Sequence, residues 1–264
     1  MELERNFKEF DSATIRSVVI SDIGNARANN EDAGLFSWGD DQNIGGDKGF
    51  LMLVADGMGG HNAGEVASRV AADIIRHEYF RLDDTVEESL IKAFEVANNK
   101  IFDMSKCDRS MKGMGTTCTA AVVVDGVIYY AHVGDSRAYY LSQDMILRMT
   151  FDHTYVGELL HTGAITTEQA LVHPGRNILT NALGSARSAR VDSGELVHSF
   201  REKDRLLVCS DGLYEYLNDQ EIATIMNTNS LHQAANELVE EAKKRGGRDN
   251  ITVVVTEKAL GRVK

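Results

Sequence analysis

With 264 residues, 43% of them hydrophobic, the chain is long enough to bury the core of one large domain. Its 40 acidic and 28 basic residues give a net charge of −12, which argues against a surface that coats nucleic acid or anionic membrane. No stretch approaches the roughly 18 apolar residues of a membrane span, and no apolar run follows the N-terminal Met-Glu-Leu-Glu-Arg-Asn, so neither a span nor a secretory signal is expected. Cys107, Cys118 and Cys209 have neither paired nor metal-ligand spacing and read as reduced core residues of a cytoplasmic protein.

In chain order, residues 1 to 12 read as a polar lead-in and Thr14 to Ser21 as a strand. Gly24 to Ala33 is a polar loop holding Arg27, Glu31 and Asp32, and Trp38 to Lys48 reads as an exposed turn. The apolar run Phe50 to Ala55 delivers Asp56 and Gly57 at its end. Apolar residues at 63, 66, 67, 70, 71, 74 and 75 then keep helical spacing, predicting a helix over 62–80, and a second follows over about 85–107. Thr116–Val124, Val127–Val133, Arg137–Leu141 and Met145–Met149 look like consecutive antiparallel strands, with hairpins at Asp125-Gly126 and near Ser142-Gln143-Asp144. Residues 151 to 185 are polar and weakly helical and hold the only proline, Pro174. Strand signals return at 195–199 and 204–210, helical ones at about 218–227 and 230–245, and a last strand spans about 250–257. Strands in runs and helices in pairs argue for an α+β arrangement of packed antiparallel sheets with helices outside, not a doubly wound parallel fold.

Four aspartates stand at the ends of these apolar strands: Asp56, Asp135, Asp211 and Asp249. A lone Asp-Gly is usually only a turn, and Asp125-Gly126 is the internal control, a two-residue hairpin turn with no chemistry assigned. Recurrence is what favours a site. Carboxylates, a backbone carbonyl and water are hard oxygen donors suited to Mg²⁺ or Mn²⁺. The histidines, at 61, 77, 132, 153, 161, 173, 198 and 232, show no zinc-like spacing, and His132, in mid-strand, reads as a satisfied core residue. Arg27, four and five residues before Glu31 and Asp32, fits either a solvated surface loop or a phosphate-binding guanidinium beside metal-directed carboxylates. Other phosphate chemistries fail. A cysteine phosphatase needs arginine six positions after its nucleophile, where Gly113, Val124 and Glu215 stand, and the Gly57–Gly64 stretch lacks the Gly-Lys-Ser/Thr of a nucleotide-binding loop.

Taken together, the motifs resemble the metal-dependent (type 2C, PPM) serine/threonine protein phosphatases in their bacterial form, over about Ser17 to Val255. They are Arg27-x-x-Asn30-Glu31-Asp32-Ala33, Ala55-Asp56-Gly57-Met58-Gly59-Gly60-His61, Gly113-Met114-Gly115-Thr116-Thr117 and His132-Val133-Gly134-Asp135-Ser136-Arg137. Asp152-His153-Thr154, His173-Pro174-Gly175-Arg176-Asn177, Ser210-Asp211-Gly212-Leu213 and Gly247-Arg248-Asp249-Asn250-Ile251-Thr252 follow in order.

The resemblance implies one phosphatase domain over 1–264, with a core of about 14–257. Its fold would be a four-layer α-β-β-α sandwich, two central antiparallel sheets flanked by helix pairs, with a flap near 151–185. It implies that Asp56 bridges two Mn²⁺ or Mg²⁺ ions, that the Gly57 carbonyl serves one and that Asp211 and Asp249 complete the other. Asp135 would help hold a weaker third ion, Glu31 and Asp32 would act through water, Asn250 would support the site and Arg27 would bind phosphate. Where eukaryotic members place a histidine after the Asp-Gly, this chain has Met58, with His61 three residues on, so the general acid is unassigned.

The implied activity is hydrolysis of phosphoserine and phosphothreonine on proteins, opposing a bacterial serine/threonine kinase, with no nucleic acid or membrane partner. The alternatives are an inactive phosphoprotein-binding module, which predicts eroded ligands, and a two-metal phosphodiesterase, which the acidic balance disfavours. In the flap, Val156, Leu159, Leu160, Ala164, Ile165, Ala170 and Leu171 could form two short helices that close it on itself. Its expected role is to screen phosphoprotein substrates without supplying a catalytic group; a tolerated insertion is the alternative.

Overall fold

The structure, a computed structural model, describes residues 5–12, 14–38, 48–59, 63–143, 145–196 and 200–259. Its strands are β1 (Arg5–Asp11), β2 (Ile15–Asp22), β3 (Asp32–Trp38), β4 (Phe50–Met58), β5 (Gly115–Thr116), β6 (Cys118–Val124), β7 (Val127–Val133), β8 (Arg137–Ser142), β9 (Met145–Arg148), β10 (Asp192–Leu196), β11 (Arg205–Cys209) and β12 (Ile251–Lys258). The helices are α1 (Ala63–Arg81), α2 (Val86–Cys107), α3 (Tyr155–His161), α4 (Thr167–Leu171), α5 (Asp211–Tyr214), α6 (Asp219–Thr228) and α7 (Leu231–Arg245). One antiparallel sheet runs β1-β2-β12-β11-β8-β9, and the other runs β10-β7-β6-β4-β3 with β5 on the end of β4.

Each central strand sends alternate side chains to two cores. In β4, Leu51, Leu53 and Ala55 pack under α1 and α2 with Ala67, Ala71, Ile75, Leu90 and Phe94. Phe50, Met52 and Val54 point the other way, into the space between the sheets, where they meet Val19, Leu206, Val208 and Val254. Leu207, Cys209, Val253 and Val255 face outward against Leu213, Ile222, Leu238 and Ala242 of α5, α6 and α7. A strand buried on both faces reads as a continuous apolar run rather than an alternation. That is the pattern of Phe50–Ala55 and Arg205–Cys209, and it gives the α+β four-layer sandwich. Burying each such Leu, Val or Phe contributes about 1.5–3 kcal/mol.

Local signals set the element ends. Thr85 and Glu88 form a reciprocal capping box that starts α2, as Asn218 and Glu221 do for α6. Asp125 (φ 50°) and Gly126 (φ 83°) make the tight turn between β6 and β7, the two-residue hairpin expected there.

Four expectations need correction. Residues 5 to 11 form the edge strand β1 rather than a lead-in, because a ladder to β2 pairs one edge of the strand while its other edge ends the sheet and Lys8, Glu9 and Asp11 stay exposed. The strands from 116 to 149 are not one meander. β7 and β8 belong to different sheets, so the chain crosses the sandwich at Gly134-Asp135-Ser136. Cys107, at the end of α2, is exposed, whereas Cys118 and Cys209 are buried. The last flap helix leaves Leu171 71% exposed, so α3 and α4 form but do not bury all the apolar residues between them. The proposed turn over 39–47, the end of the strand at 197–199, and Gly60, His61 and Asn62 lie outside the described residues, as does Asp144, although Ser142 pairs with Met145 across the expected hairpin.

The loop from β2 to β3, the β7–β8 turn, and both ends of the 149–191 segment lie at one end of the sandwich. Register fixes this: Asp22 pairs with Ile251, Asp32 with Asp56, His132 with Asp192, and Cys209 with both Val253 and Arg137.

Candidate active site

The same registers bring the strand-end aspartates together. Asp32 and Asp56 are direct partners across β3 and β4, on one face of the sheet. Side chains in such a pair stand about 4.5–5.5 Å apart at Cβ, where like charges are unfavourable. Asp211 follows β11, Asp249 precedes β12 beside it, and Asp135 occupies the sheet-crossing turn.

Each acid is held by its backbone. The Asp56 N–H donates to Thr117 Oγ1 at 3.1 Å, and its carbonyl accepts from Thr116 Oγ1 at 2.8 Å and from the Thr117 N–H at 2.9 Å. The Gly57 N–H donates to the Glu31 carbonyl at 3.1 Å. A Cβ on Gly57 would lie 2.2 Å from the Gly64 carbonyl oxygen and 2.6 Å from that of Glu31, so only glycine fits. Asn250 ties the loop at 24–31 to β12. Its Oδ1 accepts from the Glu31 N–H at 2.8 Å, and its Nδ2 donates to the carbonyls of Ile23 and Asn29, each at 3.0 Å. Asp32 Oδ2 accepts from Ser210 Oγ at 2.7 Å, joining the two sheets beside Asp211.

Burial dominates the electrostatics. Removal from water pushes the Asp56 carboxyl well above the usual carboxylate range, and Asp32, Asp211, Asp135 and Asp249 push it further. Asp211 is raised in the same way by burial, then by Asp135 and Asp249. Burial carries Asp32 to about 6 against the hydrogen bonds from Ser210 and Thr252. Burial and then Asp152 carry Asp135 to about 7, against Arg137. Glu31 is raised by burial and lowered by Arg27. Arg27 is drawn onto Asp249, with Nη2 to Oδ2 at 2.5 Å, while its side chain remains 49% exposed.

Two carboxylate oxygens, Asp32 Oδ1 and Asp211 Oδ1, are buried with no hydrogen-bond partner. Buried polar atoms are almost always satisfied, so these require a proton, a cation or a bound water. The donor set is all oxygen, which fits Mg²⁺ or Mn²⁺ and not zinc. Among the described residues no three His, Cys, Asp or Glu side chains already form a ligand cluster. Cations here would draw on single carboxylates from separate strand ends, the Gly57 carbonyl and water, and Mg²⁺ in particular retains several waters when bound.

All nine residues singled out from the sequence belong to this one end of the fold. Sequence reasoning missed the polar frame: Thr116, Thr117, Ser210 and Thr252 among the strand residues, and Arg137 with Asp152. The hydroxyls carried a signal, since three of the four strand-end motifs place Ser or Thr within two residues of the acid or the strand joined to it. His132 is fully buried, with ring nitrogens 2.7 Å from Thr119 Oγ1 and 2.9 Å from the Phe151 carbonyl, as a core histidine should be.

The model of one family, described as Protein phosphatase 2C, matches residues 26–251. The serine/threonine phosphatase stp of Listeria innocua is 37% identical over 247 residues, covering 91% of this chain and 94% of that protein. The serine/threonine phosphatase of S. agalactiae superposes with a TM-score of 0.84 at 34% identity, over 92% of this chain and 99% of that one. The catalytic domain of the serine/threonine protein phosphatase PstP, solved in complex with two manganese ions, does so with a TM-score of 0.78 at 32% identity, over 93% and 99%.

The raised carboxyls make stability depend on pH. In a chelator, Asp32 (about 6) and Asp135 (about 7), with Asp56 and Asp211 also raised well above the usual carboxylate range, hold protons in the folded chain that the unfolded chain releases near 4. Their contribution is complete below about pH 4 and is lost as pH rises through 6 to 7 and beyond. The Tm in EDTA should therefore fall by several degrees between about pH 5.5 and pH 8, and Mn²⁺ should raise it more at pH 8 than at pH 5.5. A Tm in EDTA that is level across that range would show the carboxylates to be solvated.

Proposed function

The chain belongs to the protein phosphatase 2C family, and from that premise we propose that the strand-end aspartates form the metal centre of a protein-serine/threonine phosphatase. The observation that carries the assignment is the pair of buried, unpartnered oxygens on Asp32 and Asp211, inside a group of acids that raise one another's affinity for protons. Asp56, the Gly57 carbonyl, Asp211 and Asp249 would hold the two Mn²⁺ or Mg²⁺ ions. When bound, such a pair lowers the pKa of a shared water and clamps the phosphoryl group for in-line attack.

The chain's own residues do the rest. Thr116 and Thr117 fix the backbone of Asp56 so that its carboxylate does not move. Arg27, half exposed at the rim, binds the phosphoryl oxygens through guanidinium nitrogens not engaged by Asp249. Glu31 and Asp32 orient water, and Asn250 holds their loop on β12. Asp135 contributes to a weaker third cation. None of the expected carboxylates is eroded, which leaves an inactive phosphoprotein-binding module without support.

The 264 residues act as one phosphatase domain, and the 151–185 segment is a flap. It is docked by Asn177 Nδ2 on Glu215 Oε1 at 3.2 Å, with Arg176 3.9 Å from the same oxygen, just past α5. Substrates are phosphoserine and phosphothreonine proteins, among them a kinase of the same specificity that the enzyme opposes. Three cysteines without a disulfide support a cytoplasmic setting. Among the described residues no helix is long and apolar enough to cross a membrane.

Asp211→Asn keeps shape and removes charge, and should lower kcat on an aryl phosphate by at least about 10²-fold at saturating Mn²⁺. Near-normal turnover in that variant would sink the assignment. Arg27→Ala should raise KM, while Mn²⁺ affinity measured by calorimetry does not weaken. If Mn²⁺ no longer bound, the loop at 24–31 would be a structural support instead. Arg176→Ala, on the exposed face of the flap, should reduce kcat/KM for a phosphothreonine peptide several-fold more than for an aryl phosphate. An equal loss on both substrates would mean that the flap shapes the metal site rather than selecting substrates.

A further inference from the structure

The turn Gly134-Asp135-Ser136 has left one sheet and not yet joined the other, so no strand ladder fixes it. Gly134 adopts φ 111°, a conformation open to glycine. Besides Thr117 and Thr119, whose hydroxyls bond the Ser136 hydroxyl at 2.7 Å and the Ser136 carbonyl at 2.8 Å, three neighbours hold the turn in place. From α5, Tyr214 Oη donates to the Asp135 carbonyl at 2.9 Å. From the start of the flap, the His153 N–H donates to the Gly134 carbonyl at 2.7 Å, and the Gly134 N–H returns a bond to His153 Nδ1 at 3.1 Å. On the far side, Arg137 grips Asp152 through Nε at 3.0 Å and Nη2 at 2.6 Å, and its guanidinium carbon lies 3.5 Å from the centre of the Tyr214 ring.

Asp211 and Tyr214 are three residues apart on α5 and share one face of that turn of helix. One helical turn therefore carries both a candidate ligand and the hydroxyl that pins the backbone of another. Two carboxylates brought together repel, and the Asp135 turn lies outside both strand ladders, whereas Asp211 begins a helix. A bond from the Asp211 turn to the Asp135 carbonyl resists that repulsion. The Arg137 stack keeps the ring from rotating out of line, since a guanidinium over an aromatic face is held by the ring quadrupole.

We propose that Tyr214 is the positioning residue of the weaker cation site: its hydroxyl, with the ring clamped by Arg137, fixes Asp135 relative to Asp211. The proposal rests on the reading of Asp135 as a ligand. Tyr214 acts through the backbone of Asp135 and touches neither substrate nor cation. A tyrosine that merely filled the core would, when altered, lower stability and leave cation binding alone.

The test is Mn²⁺ titration calorimetry together with aryl phosphate hydrolysis against Mn²⁺ concentration, on wild type, Tyr214→Phe, Tyr214→Leu and Asp135→Asn. Tyr214→Phe keeps the ring and the stack and removes one hydrogen bond. Its weak Mn²⁺ step should lose about tenfold in affinity, the lower end of what an outer-shell partner contributes, while the tight steps stay unchanged. The rate–Mn²⁺ curve should move to higher concentration by the same factor, with excess Mn²⁺ rescuing the rate. Tyr214→Leu, which loses the stack as well, should shift further. A Tyr214→Phe protein with the wild-type isotherm overturns the proposal, and so does one that loses the tight steps too, since that marks a general structural role. Asp135→Asn separates the two levels. If it shifts the weak step and Tyr214→Phe does not, only the tyrosine's role is wrong; if neither shifts it, Asp135 is not a ligand.

Discussion

The constraint on which the site depends is the crowding of buried Asp32 and Asp135 and half-buried Asp56 and Asp211 at one end of a sandwich, with Asp249 beside them, paired to Arg27. A protein interior does not solvate such charges, and each additional one raises the affinity of the rest for protons. The folded chain therefore has two ways to be at ease, protonated or cation-bound, and the protonated way closes as pH rises past about 6 for Asp32 and about 7 for Asp135. The polar frame follows from the same repulsion. Thr116, Thr117, Ser210 and Asn250 bind the backbones and loops that carry the acids, so that the repulsion is borne by the fold and does not spread the acids apart.

The acids can occupy only the ends of the strands. β4, β11 and β12 are buried on both faces, between a helix layer and the opposite sheet. A carboxylate in mid-strand would displace a packed Leu or Val and find no water. At the strand ends the ladder stops and the backbone groups of Gly57 and the loops are free to serve as ligands or clamps. Gly57 illustrates how tightly this is packed, with the carbonyls of Gly64 and Glu31 filling the volume a Cβ would need.

This logic explains what the sequence made legible. Apolar runs ending in Asp56, Asp211 and Asp135, and Asp249 before one, mark both the buried strands and the acids at their tips, because one physical fact, burial on both faces, produces the run and forces the charge to its end. Asp125-Gly126 ends a run too, but its φ values of 50° and 83° make a plain hairpin at the opposite end of β6 and β7, and the two-residue spacing announced that. Other features were hidden because they are long-range. The pairing of Arg5–Asp11 with β2 is a matter of backbone ladders, which charged side chains neither reveal nor forbid. The grip of Arg27 on Asp249 spans 222 positions, and that of Asn250 on Glu31 spans 219. Neither is visible before the registers of β2 with β12 and of β3 with β4 are known.

Topology gathers the remaining parts. The described chain passes between the sheets at β2–β3, β7–β8, β9–β10 and β10–β11. The last crossing is at the end away from the acids, since β10 closes opposite Ile128 and β11 opens at Arg205. The other three are at the acidic end, and each carries a different component: the Arg27–Glu31 loop, the Asp135 turn and the flap. A crossing connection is not held in a ladder, so it must be held by side chains, and the bonds found are between crossings and their neighbours: Asn250 to the first, Tyr214 to the second, and His153 and Arg137–Asp152 between the second and third. The base of the 151–185 segment is thus bonded to the turn that carries Asp135, while the Asp56 backbone is secured within β4 and by Thr117, whose hydroxyl also reaches Ser136 of that turn. The sheets thus fix the position of Asp56, and the crossings fix that of Asp135 beside the base of the 151–185 segment.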